Sequence, residues 1–395
     1  MISEKNINIK ESMSNKIRVL SIFDGIGGAR QALKELDIDC DYYASEIDKY
    51  AITIAKTNHP DITQLGGVRG ISTEDGWLFY NQDNNPMVNG GSIKCNFDLL
   101  IGGSPCQDLS IAKRDRQGLQ GERSGLFYEY VRILNETKPK YFILENVASM
   151  SQASRDLISK ELGIQPILIN SALLTAQQRK RYYWVGKLTN GKYEQINIEQ
   201  PEDKRIILKD VIEDGFVDRD KSYCVDANYH KGGNPKSYFE KGRRQLVFDK
   251  PVRIGCFNKG SQSDRIYSVE GKSICLNANG GGMGAKTGLY AVAQRGRYVN
   301  GGGTEQKFKT SLNEKANALT RVQKDSLLLD INNGNYVIRK LTPLECCRLQ
   351  GFPDNYFLDK ERNNIISNTQ IYKALGNSFT VPVIKHILKN IINPI

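Results

Sequence analysis

The sequence lacks the patterns that mark metal-binding, secreted and membrane proteins. It has only three histidines, and its eight cysteines include no C-x-x-C pair, so the ligand spacing of a zinc site is absent. Cysteines scattered in this way indicate reduced thiols, as in a cytoplasmic protein. No apolar run approaches the length of a membrane span, and the polar N-terminus does not resemble a signal peptide. We therefore expect a cytoplasmic protein with no membrane segment and no bound metal.

Charge is the compositional feature that points towards a partner. The 395 residues are enough for two domains, and a hydrophobic share of 39% is ordinary for a globular protein. Lysines and arginines number 55 against 44 acidic residues, which gives a net charge of +11. A basic balance favours a polyanion such as nucleic acid as partner, although solubility alone would also account for it.

One cysteine stands where a parallel sheet usually carries its functional residues. The apolar run Phe97–Ile101 predicts a buried strand that Gly102 and Gly103 end, and Pro105 then stiffens the turn that presents Cys106. Ligands bind at the carboxyl ends of strands in open α/β sheets. A buried thiol that packs as a small hydrophobe is the alternative. The glycines before Cys106 and the polar run after it favour an exposed, reactive cysteine.

The start of the chain predicts a strand, a glycine turn and a helix, at Ile17–Phe23, Asp24–Gly28 and Ala29–Leu36. Such an opening binds nucleotides, because glycines let a ligand approach the backbone and the helix N-terminus faces it. The turn departs from the dinucleotide pattern G-x-G-x-x-G. A second strand, Asp41–Ser45, ends at Glu46, where related folds hold ribose hydroxyls. A solvated loop acid is the alternative for Glu46.

Further strands bring a second acid and a basic run to the same sheet. Tyr141–Leu144 predicts a strand that leads to Glu145, on the same edge as Cys106. The segment Gln177–Arg181 is basic and is either a solvated face or functional. Residues 72–96 are polar and turn-rich, which indicates a surface insertion. The pattern also predicts strands at Ile167–Asn170 and Tyr182–Val185, and helices at Asp48–Asn58 and Arg123–Asn135.

Residues 188–338 differ in composition from the rest of the chain. Glycine, asparagine, lysine and serine dominate, and helical periodicity disappears. The segments Lys221–Asn228 and Lys272–Asn279 repeat each other, with a fainter echo at Lys315–Thr320, and glycines follow the first two. They predict β-hairpin units with glycine-rich turns, in which one apolar position faces inward, namely Val225, Leu276 and Leu319. The alternative is a hairpin frame with solvated turns.

The last part of the chain is helical. Thr342 and Glu345 predict a capping box with Pro343 at the first helical position, and Gly351 ends that helix. A final helix places its apolar residues on one face, namely Ile384, Ile387, Leu388 and Ile391.

Together these residues resemble the motifs of the DNA (cytosine-5) methyltransferases, in the family's order. The matching segments are Phe23–Gly28, Glu46, Pro105–Gln107, Glu145–Val147, Gln177-x-Arg179-x-Arg181, Arg339–Pro353 and Gly376–Ser378. The resemblance covers 17–187 and 339–393, and the catalytic half is most similar to the mammalian de novo enzymes. It implies an α/β fold with a Rossmann-like sheet that binds S-adenosylmethionine, and a smaller, mostly β and loop target-recognition domain.

The resemblance also implies a reaction and its residues. A methyl group would pass from S-adenosylmethionine, which leaves as S-adenosylhomocysteine, to C5 of a flipped-out cytosine in double-stranded DNA, through a covalent adduct at C6. The implied catalytic residues are Cys106, Glu145, Arg179, Arg181, Pro105, Gln107 and Asn146, with Arg179 expected to activate the Cys106 thiol. The implied cofactor residues are Phe23, Asp24, Gly25, Ile26, Gly27, Gly28, Glu46, Ile47, Gly103, Asn377 and Ser378.

Contacts to DNA are expected from two parts of the chain. The polar, basic stretch Ser110–Glu122 predicts a loop that closes over DNA, unless it is an ordinary surface loop. The predicted contact residues are Ser110, Lys113, Arg114, Arg116, Lys231, Arg243, Arg244 and Lys286. One position departs from the family, because Gly67 stands where an aspartate usually contacts the adenine amino group. We expect weaker cofactor binding there, or another polar residue that compensates.

The resemblance divides the chain into a flexible tail at 1–15, a catalytic and cofactor-binding domain at 16–187, a target-recognition domain at 188–338, and a segment at 339–395 that supports recognition and packs back on the catalytic domain. A monomer in a bacterial or phage setting, associated with the nucleoid, is expected, with a cognate restriction endonuclease as a further partner to test. An RNA (tRNA) cytosine-5 methyltransferase and a non-catalytic DNA-binding protein are the alternatives. A Rossmann oxidoreductase does not fit the glycine pattern.

Overall fold

The computed structural model describes residues 16–81, 90–104, 126–233, 238–249, 253–256, 265–267, 289–290, 293–299, 303–309, 328–331, 334–357 and 366–392. Several predicted features lie outside these ranges. They are the Pro105–Gln107 motif with Cys106, the loop Ser110–Glu122 with its basic residues, the second and third repeats with Leu276 and Leu319, and Lys286.

The helices and strands alternate in the first half of the chain, and strands dominate the middle. The helices are α1 (Gly28–Lys34), α2 (Lys49–Asn58), α3 (Leu126–Thr137), α4 (Gln152–Leu162), α5 (Pro343–Gln350), α6 (Asn368–Asn377) and α7 (Val381–Ile391). The strands are β1 (Ile17–Ile22), β2 (Cys40–Ser45), β3 (Thr63–Gly66), β4 (Ile71–Glu74), β5 (Trp77–Tyr80), β6 (Gly91–Lys94), β7 (Leu99–Gly103), β8 (Tyr141–Val147), β9 (Ile167–Asn170), β10 (Lys180–Thr189), β11 (Lys192–Gln195), β12 (Leu246–Asp249), β13 (Arg253–Cys256), β14 (Arg265–Tyr267), β15 (Leu289–Tyr290), β16 (Ala293–Val299), β17 (Gly303–Lys309), β18 (Leu328–Ile331) and β19 (Gly334–Lys340).

An eight-stranded, mostly parallel sheet is the centre of the fold. Its strands follow the order β11-β10-β8-β7-β1-β2-β3, with β9 paired to β10. Strands β1, β2, β3, β7 and β8 run parallel, and β10 is antiparallel to β8. The chain builds outwards from β1 through β2 to β3, then returns to the other side of β1 with β7. This reversal creates a crevice beyond the carboxyl ends of β1 and β7, where open α/β sheets bind ligands.

Both faces of the sheet are buried, which explains why its strands are almost continuously apolar. On one face Leu20 and Leu100 pack against α3 and α4. On the other face Val19 and Ile101 pack against α1, α2 and the three C-terminal helices. The α/β fold class expected from the sequence is confirmed. In the described ranges, none of the helices combines the length and the apolar character that crossing a bilayer requires.

The predicted strands of the sheet are present, but their bounds differ. Strand β7 includes Gly102 and Gly103, which were predicted to end it, and β10 extends beyond the predicted Tyr182–Val185 at both ends. Strand β8 continues to Val147, so Glu145 and Asn146 belong to the strand rather than following it. The sheet also continues beyond the predicted domain boundary at residue 187, since β11 pairs with β10 through Gln195. Residues further along, such as Val225 and Val247, join the same core as the C-terminal helices.

The predicted surface insertion at 72–96 contains regular structure. Strands β4, β5 and β6 form a separate antiparallel sheet in which Leu78 is buried while Trp77 and Phe79 are exposed. Alternation along β5 therefore produces one buried and one solvent-facing side.

The first repeat, Lys221–Asn228, does not form the predicted hairpin. Its described structure is an extended segment that lies beside residues 176–178, with one isolated parallel bridge from Ser222 to Gln177. The Lys221 ammonium group donates to three carbonyls, those of Ala172, Thr175 and Ile206, at 2.6 to 3.2 Å. This lysine is therefore a structural anchor. The prediction that Val225 faces inward is confirmed, because its side chain is fully buried.

The predicted C-terminal helices are confirmed, and α5 begins with the predicted capping box. Thr342 accepts the N–H of Glu345 at 3.1 Å, and the Glu345 carboxylate accepts the N–H of Thr342 at 2.7 Å. The four apolar residues expected on the face of α7 are all buried. Lys385 on α7 pairs with Glu35 just beyond α1 at 3.1 Å, so the end of the chain returns to its beginning.

Gly186 on β10 tests the packing of the antiparallel strand. It stands opposite Phe142 on β8, and a Cβ at this position would overlap the buried Phe142 ring, which also packs edge-on against Tyr193. We expect Gly186→Ala to lower the free energy of unfolding by about 1–3 kcal/mol, because an overpacked core forces its neighbours to move. Urea denaturation measures this. Lys187→Ala, an exposed change on the same strand, is the control, and equal midpoints for the two variants would contradict the packing.

Candidate active site

The glycine turn after β1 opens directly onto the crevice. Gly25 has φ +63°, and no atom of another described residue, its chain neighbours aside, lies within 4 Å of the position of a Cβ there. Gly27 has φ +79°, and a Cβ on it would meet the Tyr356 hydroxyl and the His59 ring at 3.4 Å. Positive φ favours glycine at both positions. Gly25 therefore lies on the open side of the turn, and Gly27 packs against Tyr356 and His59.

Glu46 ties the end of β2 to the glycine turn. Its Oε2 accepts the N–H of Gly25 at 2.9 Å, and its Oε1 accepts those of Ile47 and Asp48 at 2.8 and 2.9 Å. The carboxylate is half-buried, and Ile47 beside it is 75% exposed. An ionised carboxylate has about four lone-pair sites, so one more partner can be accepted. The two residues thus offer a hydrogen-bond acceptor next to an apolar surface.

Gly67, which departs from the family pattern, lies against the same surface. A Cβ at this position would be 3.2 Å from Cγ2 of Ile47, and the backbone φ of −74° would allow a side chain. The constraint on this position is therefore contact with Ile47 rather than backbone conformation.

Asp24 faces the interior and not the crevice. Its Oδ1 accepts the hydroxyls of Ser21 and Tyr42, both at 2.6 Å, and its side chain is buried. Its Oδ2 is buried with no hydrogen-bond partner among the described residues. Burial, opposed by the two hydroxyls and aided by the charge of Glu46, raises the pKa of Asp24 to about 6. In this structure Asp24 therefore shapes the glycine turn, and its side chain does not face the crevice where a cofactor contact was predicted.

Glu145 and Arg181 form an ion pair at the same edge of the sheet. Arg181 Nε lies 2.9 Å from Glu145 Oε1, and both side chains are mostly but not completely buried. Gly103, which pairs with Glu145 in the β7–β8 ladder, leaves space for this carboxylate. A Cβ on Gly103 would be 3.0 Å from Glu145 Oε2 and 3.2 Å from the ring of Phe379. The structure therefore brings together Glu145, Arg181 and Gly103, three of the predicted site residues.

Asn146 connects this pair to the segment that leads to Cys106. Its side-chain Nδ2 donates to Ser104 Oγ at 3.0 Å, and its Oδ1 accepts the N–H of Val147 at 2.8 Å. Both Asn146 and Ser104 are buried. The bond fixes the chain at Ser104, directly after β7 and directly before Pro105 in the sequence.

Arg179 is held by hydrogen bonds to distant segments of the chain. Its Nη1 donates to the Val225 carbonyl at 3.0 Å and to the Cys224 thiol at 3.4 Å, and its Nη2 donates to the carbonyls of Gly376 and Ser378 at 3.2 and 2.9 Å. The side chain is 3% exposed. Activation of a thiol requires a cation turned towards it. This guanidinium joins its own segment to residues 224–225 and 376–378. Cys106 lies outside the described residues, so activation of its thiol by Arg179 stays a prediction.

Residues near the C-terminus support the crevice, and the sequence analysis did not single them out. The Tyr356 hydroxyl donates to the Ile26 carbonyl at 2.6 Å. The ring of Phe379 packs between Gly28 and Gly103. No local motif marks Tyr356, whereas the position of Phe379 directly after Gly376–Ser378 was a usable signal.

Several predicted cofactor residues do not present side chains to the crevice. Ile26, Gly27, Gly28 and Ser378 are buried, and the Ser378 hydroxyl donates to the Leu375 carbonyl at 2.9 Å. They shape the turn and its support. The residues that reach the surface are Phe23, Gly25, Glu46, Ile47, Gly103 and Asn377.

Two of the predicted DNA contacts are engaged by an acid. Arg243 Nη2 lies 2.9 Å from Asp226 Oδ2, and Arg244 Nε lies 4.0 Å from Asp226 Oδ1. Both arginines hold the end of the first repeat in this structure, and their contact with DNA stays a prediction. Lys231 lies on a short 3-10 turn and is exposed, in agreement with a surface role.

Comparisons with known proteins cover almost the whole chain. A family model described as C-5 cytosine-specific DNA methylase matches residues 17–393. The chain is 27% identical to the type II methyltransferase M.HhaI of Haemophilus parahaemolyticus, with 98% of this chain and 97% of that protein covered. It is also 27% identical to the orphan methyltransferase M.SPRI of Bacillus phage SPR, with 96% and 98% covered. A crystal structure of the Dnmt2 methyltransferase of S. pombe is 17% identical, with a TM-score of 0.47 and 95% and 97% covered.

The buried carboxyl group of Asp24 predicts a pH-dependent stability. Its pKa is about 6 in the folded protein and 3.8 when exposed, so the folded state binds more protons between these values and loses stability as pH rises through them. Asp24→Asn keeps an oxygen for Ser21 and Tyr42 and cannot ionise. We expect the variant to gain on the order of 1–3 kcal/mol relative to wild type between pH 4 and pH 7.5.

Thermal unfolding at a series of pH values measures this gain. The exposed Glu74→Gln is the matched control and should follow the wild-type profile. Parallel profiles for wild type and Asp24→Asn would show that the carboxyl group is not held as the geometry indicates.

Proposed function

Because the chain belongs to the C-5 cytosine-specific DNA methylase family, we propose that it transfers a methyl group from S-adenosylmethionine to C5 of a flipped-out cytosine in a specific sequence of double-stranded DNA. Its relatives are DNA methyltransferases of bacteria and phages. The observation that carries the proposal is the Glu145–Arg181 pair, held at the crevice next to the segment that leads to Cys106.

The reaction proposed for these residues begins with the thiolate of Cys106. Cytosine C5 is a weak nucleophile, and addition of Cys106 Sγ to C6 gives C5 the character of an enamine. As the S–C6 bond forms, electrons move towards N3, and Glu145 would hold a proton at that atom. After C5 gains its methyl group, loss of the C5 proton to a base returns the electrons to the ring. The S–C6 bond then breaks and the thiolate is regenerated.

Arg181 would keep Glu145 in place during these steps. Its Nε holds one carboxylate oxygen at 2.9 Å, and we assign the other oxygen, beside Gly103, to the base. A charge-assisted bond of this kind fixes orientation as well as charge. We therefore assign Glu145 to contact with the base, and Arg181 to its orientation.

The crevice fits S-adenosylmethionine, which when bound supplies an electrophilic methyl group. Gly25 has open space where a side chain would stand, so a ligand can approach the backbone. Glu46 retains acceptor capacity for ribose hydroxyls, and Ile47 offers an exposed apolar surface for a flat ring. These three residues, with Phe23 and Gly103, would hold the cofactor.

The DNA part of the proposal follows from the position of the pair. Chemistry on a base edge in a recessed site requires the base to leave the duplex. The net charge of +11 supports binding to phosphates, and residues 188–338 are proposed to read the sequence. We further propose that the protein acts as a monomer in a bacterial or phage-infected cytoplasm, and that a restriction endonuclease with the same site is a partner to test.

The direct test is methylation by wild type and by Cys106→Ser. We expect wild type to methylate duplex DNA at a defined site and to leave tRNA unmodified, and the variant to lose turnover, because a hydroxyl is a far weaker nucleophile than a thiolate. Bisulfite sequencing of DNA from expressing cells identifies the site. Covalent trapping on 5-fluorocytosine DNA should occur with wild type only. Robust methylation by Cys106→Ser would refute the nucleophile, and methylation of tRNA alone would refute the substrate.

Glu46→Ala tests the cofactor site. We expect the dissociation constant of S-adenosylhomocysteine to rise about tenfold, which corresponds to about 1.4 kcal/mol for a lost charge-assisted hydrogen bond. Calorimetry below the melting temperature measures it. Since Glu46 also holds three backbone N–H groups, Glu46→Gln, which keeps an acceptor oxygen, is the control for the turn and should bind more tightly than the alanine variant. Unchanged affinity in Glu46→Ala would place the cofactor elsewhere.

A further inference from the structure

Two connections join the central sheet to the middle of the chain, and both reach the same short segment. The outgoing connection, residues 222–229, lies beside residues 176–178: Ser222 N–H donates to the Ala176 carbonyl at 2.8 Å, and Gln178 N–H donates to the Ser222 carbonyl at 2.9 Å. The return connection, residues 339–350, consists of the end of β19 and helix α5.

Gln177 is bonded to both connections at once. Its Oε1 accepts the N–H of Val225 in the outgoing connection at 2.9 Å. Its Nε2 donates to the Leu349 carbonyl at 3.0 Å and to Gln350 Oε1 at 3.3 Å, both at the end of the return connection. The side chain is completely buried. A buried side-chain amide lowers the stability of the fold unless its donor and acceptor groups are hydrogen-bonded, and both groups of Gln177 are.

The same amide begins a row that ends at the catalytic pair. In an extended chain alternate residues face one side, so Gln177, Arg179 and Arg181 form a row into the start of β10. Arg179 holds the Val225 carbonyl at 3.0 Å, and Arg181 holds Glu145 at 2.9 Å. A displacement of either connection would therefore act on the segment that carries Arg181.

We propose that Gln177 is a positioning residue that sets the chain between the two connections, residues 230–338, in register with the Glu145–Arg181 pair. It acts through the outgoing and return connections and touches neither the base nor the cofactor. The proposal rests on the DNA methyltransferase function proposed above. Its consequence is that loss of the amide separates site selection from chemistry, since the target base then arrives against Glu145 with less dependence on the sequence around it.

The test compares wild type with Gln177→Met, which keeps the length of the side chain and removes its hydrogen bonds. The measured quantity is the ratio of single-turnover methylation rates on the preferred duplex and on a duplex with one base pair changed. We expect this ratio to fall about tenfold, the scale of one mismatched base pair, and KM for DNA to rise. The dissociation constant of S-adenosylhomocysteine should stay unchanged.

Val185→Ala controls for simple loss of stability. Val185 lies fully buried on β10 and contacts neither connection through hydrogen bonds. It should reduce the active fraction, titrated by trapping on 5-fluorocytosine DNA, without changing the rate ratio. If Gln177→Met behaves as Val185→Ala does, the amide is only structural and the proposal is wrong. If wild type itself fails to methylate DNA, the proposed function is wrong instead.

Gly376→Ala provides an independent variant that leaves Gln177 intact. A Cβ on Gly376 would overlap the backbone of Asp226 and Ala227 and push the outgoing connection away from α6. We expect the same fall in the rate ratio. Should Gln177→Met fail to fold, Gly376→Ala tests the outgoing connection through which Gln177 acts: a fallen rate ratio supports the proposal, and an unchanged ratio overturns it.

Discussion

A buried positive charge, that of Arg179, holds the separate parts of this protein together. A guanidinium removed from water needs hydrogen-bond partners, and its two terminal nitrogens have them here in three carbonyls and a thiol from distant segments. Its Nε is buried with no partner among the described residues. Two of the carbonyls, those of Gly376 and Ser378, stand at the C-terminal end of helix α6, where the helix dipole favours a cation. Because the outgoing connection, the last helices and β10 all meet at this group, none of them can move without leaving a buried donor unpaired.

The crevice depends on the ends of the chain in a similar way. The glycine turn near the N-terminus is open on one side and needs support on the other. Tyr356 and Phe379 supply that support, through a hydrogen bond to Ile26 and through packing on Gly28. Lys373 on α6 adds an ion pair to Asp48, the cap of α2. The crevice is therefore supported by residues more than three hundred positions away from the glycine turn, and the unit that contains it is discontinuous in sequence.

This arrangement changes how the middle of the chain should be viewed. The first repeat has the composition of a DNA-facing turn, yet its polar residues bind other parts of the protein. Lys221 donates to backbone carbonyls and Val225 is buried in the main core. Asp226 forms ion pairs with Arg243 and Arg244. Polar residues with charged neighbours serve here to dock one segment on another. Composition alone does not separate the two uses, because a lysine that meets phosphates and a lysine that meets carbonyls require the same side chain.

The sequence by itself determined the parallel sheet, the glycine turn, the acids at Glu46 and Glu145, and the capping box at Thr342, because each depends on residues close together in the chain and on periodicities of two and 3.6. Only the tertiary structure decided that Asp24 faces inward, that Arg179 binds carbonyls, and that Gln177 joins two connections. Such roles depend on which acceptors lie within about 3 Å, and those acceptors, at Val225, Leu349 and Gly376, are set by long-range packing that no local pattern records.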